Sequence, residues 1–477
     1  MLNLLWMLPA ALAEPGGHAA AHVEPEVSAW VTALFTLVLV GLIACLALEE
    51  RLHAKKSLIA GLFAAGSLFL GAALGILPLG PLTNAFGHPI SMPVYIPAVD
   101  WSVIAIILGS SLFVDVTSRS GLFTWIAIKL TKASGGDPRR LLWLYGLMTV
   151  FFSAVLNNVT AMIIVGSLSA VSLDRLNRRE KLLGFLLIEG MLTNVGGLLT
   201  LISSVPNIIV GTTAGISFLD FFLVAAPYVA VATAVTLAVG AWRFDIPRLT
   251  DDDEQLAAIE LVEGFDENDG VESRGFFRFS AAMLIAFVLF IATTSAMPVL
   301  SDLGMGFVAL SFGGIMLIRY KHDVDEFYRA LDWDLLGFFV SLFVVINVME
   351  HAHVLKLIGW GLQGVVSLGD VGGTGVLLVA SAGFSSVTDN IPLAAMLARI
   401  LDQLGTAPDS ALWWSVVFGA NLGGNITPIG SASTLVAVTI IHKHGLQMSF
   451  SDFVKYAAPY AIIQLILALV YVLVFVR

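Results

Sequence analysis

Cysteine is nearly absent: the 477 residues contain one, Cys45. It lies inside an apolar run, so neither a disulfide framework nor a thiolate metal cluster can be built, and its role is packing. Charge is scarce too, at 12% of residues against about 25% in ordinary soluble proteins. No GxxxxGKS or GxxxxGKT nucleotide loop, no HExxH pair and no GxSxG elbow occurs. An enzyme is therefore not indicated, and the energy for any transport must come from a gradient rather than from ATP hydrolysis in this chain.

What fills the sequence is apolar. Hydrophobic residues make up 58%, with a mean hydropathy of +0.91. A helix of about 20 apolar residues crosses the hydrocarbon core, and such runs recur at 28–48, 57–79, 218–240, 280–297 and from Tyr456 onward. No soluble domain has room between them. The net charge of −11 traces to ten acidic residues in the stretch 251–272, which reads as a solvated linker rather than a patch for a basic partner or nucleic acid. The opening MLNLLWMLPAALAEP resembles a signal peptide without a charged n-region and implies an exported amino terminus.

With that terminus outside, the first span delivers Arg51, His53, Lys55 and Lys56 to the cytoplasm, as the positive-inside rule asks. Residues 81–97 carry no Lys or Arg, as expected of an external loop. Residues 121–132 are too short and amphipathic to span and read as a helix along the inner face. A hydrophobic pair, 141–156 and 159–172, is flanked on both sides by basic loops, so it enters and leaves on one side. That is a re-entrant hairpin with Asn157-Asn158 at its tip.

The same signals return later. Asp100-Trp101 recurs as Asp332-Trp333 and FSAVLNN at 152–158 as FSSVTDN at 384–390, all displaced by 232 residues. NVGGLLTLISS at 194–204 recurs as NLGGNITPIGS at 421–431, displaced by 227. Counting spans, the second copy starts from the cytoplasm, where the first starts from outside. The expectation is an all-α polytopic membrane protein of two inverted repeats, each with a re-entrant hairpin and a broken helix. Residues 1–27 form a signal-like external terminus, 28–99 and 277–331 scaffold helices, 100–240 and 332–477 the two copies, and 241–276 the acidic cytoplasmic linker.

A lipid-embedded helix opens only where the freed backbone groups line a cavity or meet a ligand. Breaks are expected at Asn157-Asn158, at Asp389-Asn390 before Pro392, and at the Gly196-Gly197 and Gly423-Gly424 pairs. Hydroxyls, amide oxygens and freed carbonyls there suit a hard cation such as Na⁺, while opposed half-helix amino termini favour an anion. Each copy can thus form one oxygen-lined pocket. The candidate binding residues are Asn157, Asn158, Thr160, Asn194, Gly196, Gly197, Thr200, Ser203, Ser204 and Asn207 in the first copy. In the second they are Thr388, Asp389, Asn390, Asn421, Gly423, Gly424, Thr427 and Ser431. For Na⁺ itself the set is Asn158, Thr200, Asp389, Asn390 and Thr427. Ionisable groups inside spans are functional by default, so Asp389 and Glu189 are the proton-coupling candidates, whereas Asp115 and Glu350 lie near span ends.

These motifs resemble those of the ion transporter superfamily, which includes arsenite efflux permeases, the melanosomal P protein, NhaD-type sodium/proton antiporters and sodium/dicarboxylate symporters. LEERLHAKKS and LLWLYGLMTVFFSAVLNNVT are most similar to the NhaD type; SSVPN at 203–207 and ITPIGS at 426–431 are closer to the arsenite-permease and P-protein side. The resemblance implies an elevator, often dimeric, in which a transport domain of hairpins and broken helices slides against a scaffold in the inner membrane. It carries ion-site roles to Asn157, Asn158, Asn194, Thr200, Asp389, Asn390, Thr427 and Ser431. Two acidic positions of many relatives are Asn157 and the Ser203-Ser204 pair here, which weighs against multi-proton exchange. Sodium/proton antiport is the expected function, with Na⁺ as transported or coupling ion and no other cofactor; carriage of an arsenite-like oxyanion or a di- or tricarboxylate is the alternative.

Overall fold

Aspartate and serine caps start several of the helices that matter here. In the computed structural model, which describes residues 27–80, 82–83, 87–388 and 390–476, Asp100 accepts hydrogen bonds from the Ser102 and Val103 amides, and Asp332 accepts one from the Leu335 amide. The neighbouring indoles match as well: Trp101 donates to the Ile96 carbonyl at 3.1 Å and Trp333 to the Tyr328 carbonyl at 2.7 Å. Such a cap contributes about 0.5–2 kcal/mol by satisfying amides that a helix start leaves free. The signal-like opening residues 1–26 and Asp389 lie outside the described residues.

The chain runs through α1 (Ala29–Ala47), a turn α2 (Glu49–Leu52) and α3 (Lys56–Ala73) to a two-residue antiparallel ladder, Leu82–Thr83 with Pro89–Ile90. Then follow α4 (Trp101–Ser118), α5 (Leu122–Ala133), α6 (Pro138–Val155), α7 (Asn158–Arg175), α8 (Leu182–Gly196), α9 (Val205–Ala214) and α10 (Phe218–Arg243). After α11 (Asp252–Glu263) come α12 (Arg274–Thr293), α13 (Pro298–Leu317) and a short α14 (Val324–Ala330). The rest is α15 (Trp333–His351), α16 (Val354–Val366), α17 (Gly369–Ser385), α18 (Asn390–Gln403), α19 (Ala411–Gly423), α20 (Ala432–Lys443) and α21 (Phe450–Phe475). Eight helices among the described residues are long and apolar enough to cross a membrane: α1, α3, α4, α10, α12, α13, α15 and α21.

Packing divides these helices into two groups. In one, α3 lies against α15 and α4 against α13, with α1 and α12 alongside. The α4–α13 seam is made of small residues, which lets backbones touch where lipid gives no hydrophobic drive. A Cβ at Gly109 would stand 2.3 Å from the Ala309 carbonyl carbon. In the other group α6, α7, α8, α9 and α10 interlock with α17, α18, α19, α20 and α21, and α9 meets α18 just as α20 meets α7. The closing helices α10 and α21 share a Ser-x-x-Asp start and an internal proline: Ser217 bonds Asp220 at 2.6 Å and Ser449 bonds Asp452 at 2.5 Å, with Pro227 and Pro459 inside.

The acidic stretch departs from a simple solvated linker. It forms α11, buries Val262 and Phe265, and returns along α5. Glu267 bonds Lys129 at 2.7 Å and also Lys132, Arg175 lies over the Phe265 ring at 4.6 Å, and Gly121 is so close that a Cβ would meet the Gly270 carbonyl oxygen at 2.4 Å. The Lys129 bond, followed by that of Lys132, lowers the Glu267 carboxyl from an ordinary 4.5 to about 2. Because the folded value lies below the ordinary one, this docking is fully present above about pH 4.5 and is lost as pH falls toward about 2. The pair is solvent-exposed and therefore screened. Limited proteolysis at 264–272 should speed up in Glu267→Ala and in high salt at neutral pH; equal rates in all three conditions would show that the clamp does not hold the linker.

Candidate functional site

Four helices start at interruptions in the interlocked group. Helix α6 stops at Val155, Leu156 and Asn157 are extended, and the Asn157 side chain accepts from the Thr160 amide at 2.8 Å to start α7. In the second half α17 stops at Ser385 and α18 begins at Asn390. Helices α8 and α19 stop at Gly196 and Gly423, and extended Ser204 and Ser431 precede α9 and α20. The glycines are required by proximity: a Cβ at Gly196 would meet the Val150 backbone at 2.7 Å, and one at Gly423 the Ala382 carbonyl oxygen at 2.4 Å.

Each opened segment is stapled to its hairpin by the same two bonds. Thr200 Oγ1 donates to the Ala154 carbonyl and Thr427 Oγ1 to the Ser386 carbonyl, both at 2.6 Å. Ser153 Oγ donates to the Thr193 carbonyl at 2.6 Å and Ser385 Oγ to the Ala420 carbonyl at 2.5 Å. With its proton spent on a carbonyl, each hydroxyl keeps lone pairs that can turn toward a cation.

Asparagines join the two openings into one buried network. Asn194 accepts from Asn158 at 3.1 Å and from Ser433 at 3.1 Å, and donates to Asn425 at 2.8 Å and to Ser431 at 2.9 Å. Reciprocally, Asn421 accepts from Ser204 at 2.7 Å and donates to Asn207 at 2.9 Å. Asn207 and Ser203 both donate to the Gly197 and Thr200 carbonyls, so those freed acceptors are met by side chains. A Cβ at Gly197 would stand 2.6 Å from Asn158 Oδ1, which shows how closely this glycine admits the amide.

Of the sequence candidates, Asn158, Asn194, Gly197, Thr200, Ser203, Ser204, Asn207, Asn421, Thr427 and Ser431 meet here, with Gly196, Gly423 and Gly424 shaping the openings. Asn157 is exposed and serves as a cap, Thr160 contributes its amide to that cap, and Thr388 turns its hydroxyl back to the Phe384 carbonyl. Asn390 is half-buried at the start of α18. Glu189 is fully buried but bonds Ser169 rather than this network. Asn425 and Gln464 were not expected: Asn425 donates to Gln464 at 2.8 Å, and Gln464 to Thr236 at 2.9 Å. Asn425 stands in the quoted NLGGNITP segment, whereas Gln464 has only its polarity inside an apolar run as a signal.

No Lys or Arg hydrogen-bonds to the network among the described residues, nor does any group of three His, Cys, Asp or Glu there suit a metal ion. A cavity of about 170 Å³ opens between the two packing groups, lined by Asp100 at the start of α4, Thr213 of α9, Asn347 and Glu350 of α15 and Arg399 of α18. Arg399 bridges it to Glu350 at 2.8 Å.

Opened helices around a buried polar network, inside a bundle of membrane-length helices, define a multi-pass secondary transporter. The chain belongs to the citrate transporter family CitMHS, whose model matches residues 19–419. An uncharacterized transporter of Mycobacterium bovis is 29% identical over 383 residues, covering 78% of this chain and 86% of that protein. The human P protein is 24% identical over 480 residues, covering 85% of this chain and 57% of its own length. Among solved structures, the YdaH transporter of Alcanivorax borkumensis superposes with a TM-score of 0.61 at 13% identity, over 88% of this chain and 98% of that one. MtrF of Neisseria gonorrhoeae, described as an antimetabolite efflux pump, gives 0.54 at 16% identity, over 93% and 94%. These two likenesses concern the fold alone.

Proposed function

We propose that this transporter exchanges Na⁺ for H⁺, and that its network of amide and hydroxyl oxygens is the cation site. The observation that carries this reading is the chemistry of the network: many oxygen donors, all neutral, with no basic side chain reaching them among the described residues. Asp389, one residue before Asn390, supplies on this reading the carboxylate that holds Na⁺ or a proton, and Asn158, Thr200, Asn390 and Thr427 complete the shell. Matched caps, staples and helix order support the interpretation as two inverted repeats, and the separate packing groups support an elevator in which α6–α10 and α17–α21 move against α3, α4, α13 and α15. We read the amino terminus as external, the membrane as the inner membrane and the assembly as a homodimer.

A second reading has its own support, in the family's citrate description and in the amino termini of α7, α9 and α20 at the openings. A small carboxylate would then be the solute and Na⁺ or H⁺ its partner. Helix amino termini carry only about +0.5 charge each, too little by themselves to balance a tricarboxylate. Proteoliposomes loaded with a pH dye separate the readings. Added Na⁺ is expected to dissipate an imposed pH gradient between about pH 6 and 9, and Asp389→Asn to abolish that response. No Na⁺ response together with uptake of labelled citrate would overturn antiport in favour of the anion.

A further inference from the structure

A second polar cluster lies apart from the network, in the first half alone. Glu189 of α8 is completely buried; one of its carboxyl oxygens is bonded by Ser169 of α7 and the other has no hydrogen-bond partner. Ser172, one turn along α7 from Ser169, bonds the Tyr145 hydroxyl at 2.8 Å, and Tyr145 bonds Thr131 of α5 at 2.6 Å. Residues three apart on a helix are neighbours, so these hydroxyls form a file from Glu189 to the last turn of α5. There Ser134 bonds the Thr131 carbonyl, and α11 covers the loop, since a Cβ at Gly136 would meet Ala258.

Packing does not demand this polarity. At the sequence displacements that relate the two copies, the counterparts of Glu189, Ser169 and Tyr145 are Val416, Leu401 and Leu377, all buried. The positions that match them in sequence are thus filled by hydrocarbon. An unpaired carboxyl in a membrane interior is costly and calls for a function. Tyr145 is the titratable side chain that interacts electrostatically with Glu189. From the other helices packed on α8, charged or titratable residues stand at the ends: Arg139 and Arg140 of α6, Asp174 and Arg175 of α7, Asp220 and Arg243 of α10, and His442 and Lys443 of α20. Tyr228 lies within α10, α19 carries no ionisable residue, and α21 brings Asp452, Lys455, Tyr456, Tyr460 and Tyr471.

We propose that Glu189 is a proton-binding site distinct from the oxygen-lined network, exchanging with the cytoplasmic side through Ser169, Ser172, Tyr145 and Thr131. A proton then moves by a route of its own within the same moving domain, in addition to the exchange at Asp389. The inference rests on the antiport reading for its coupling role, and not for the site itself.

Infrared spectroscopy of the full chain in lipid bilayers tests the site without transport. A protonated-carboxyl stretch should be present in the wild type and absent from Glu189→Gln, and its exchange in D₂O should slow by roughly tenfold or more in Tyr145→Phe. Absence of that band, or an unchanged exchange rate in Tyr145→Phe, overturns the proposal. In the Na⁺ proteoliposome assay, Glu189→Gln and the counterpart-mimicking Glu189→Val should move fewer protons per Na⁺ than the wild type, and Glu189→Asp should restore the ratio. Proton movement at the wild-type ratio in Glu189→Gln overturns the proposal equally. If the wild type itself shows no Na⁺-linked proton movement, the antiport reading falls and the infrared result alone decides the site.

Discussion

Asn194→Leu is expected to abolish transport and to destabilise the protein by about 3 kcal/mol or more. The side chain holds four partners at once: Asn158 of the first hairpin, Asn425 and Ser431 of the second opened segment, and Ser433 at the start of α20. A net hydrogen bond is worth about 0.5–1.5 kcal/mol, but a buried partner left unsatisfied costs about 1–3 kcal/mol. Leucine has the same branched heavy-atom outline and strands several such partners together, so the second effect dominates. Asn194→Asp keeps the acceptor and loses both donor hydrogens toward Asn425 and Ser431, and should be nearly as damaging. Asn157→Ala removes a cap on an exposed helix start, should cost about 0.5–2 kcal/mol, and should leave transport in place. Thermal unfolding in detergent and uptake into proteoliposomes read both quantities. Wild-type transport in Asn194→Leu would mean that the network is only glue between helices.

The openings were legible because a break in hydrocarbon has to be written in residues that tolerate or need it. Asn-Asn or Asp-Asn at a hairpin tip, paired glycines and a following Thr-x-x-x-Ser each have a local physical reason, and each stands in both copies. The recurrence ran further than the three matches used to find it: SFLDFFLVAAPY at 217–228 and SFSDFVKYAAPY at 449–460 mark α10 and α21 at the same displacement. What stayed hidden lacks a counterpart. Asn425 answers to Leu198 in the other half and Gln464 to Ala232, so no repeat pointed to them, and which face of an apolar helix turns inward is settled by packing. The linker was obscured differently. Its charge speaks for solvation, whereas its docking depends on Val262, Phe265 and the spacing of Lys129 and Lys132 one turn apart on α5. That joining of the two openings through Asn194 and Asn421 is also a property of packing, since each copy alone reads as a separate pocket.

Gly423→Val is expected to leave little or no folded, active transporter, and the comparison among glycines makes this a test of the crossing rather than of glycine in general. A Cβ at Gly423 would stand 2.4 Å from the Ala382 carbonyl oxygen and 2.7 Å from its Cα. These are backbone atoms of α17, so relief requires α17 and α19 to separate, and separation breaks the Ser385 and Thr427 staples. Overpacking usually costs about 1–3 kcal/mol where side chains can adjust; here they cannot, and the cost should exceed that range. Gly196→Val meets the Val150 backbone at 2.7 Å and should rank next. Gly383→Ala, with nothing within 4 Å, should be silent apart from a small change in helix propensity. Gly197→Ala differs in kind, because its nearest obstacle is the Asn158 amide rather than backbone. That side chain can yield, so the variant should fold and unfold near the wild-type temperature while losing transport as Asn158 swings away from Asn194. Loss of stability in Gly197→Ala equal to that in Gly423→Val would show that the opened segments are held by packing alone, with no amide geometry set aside for a solute.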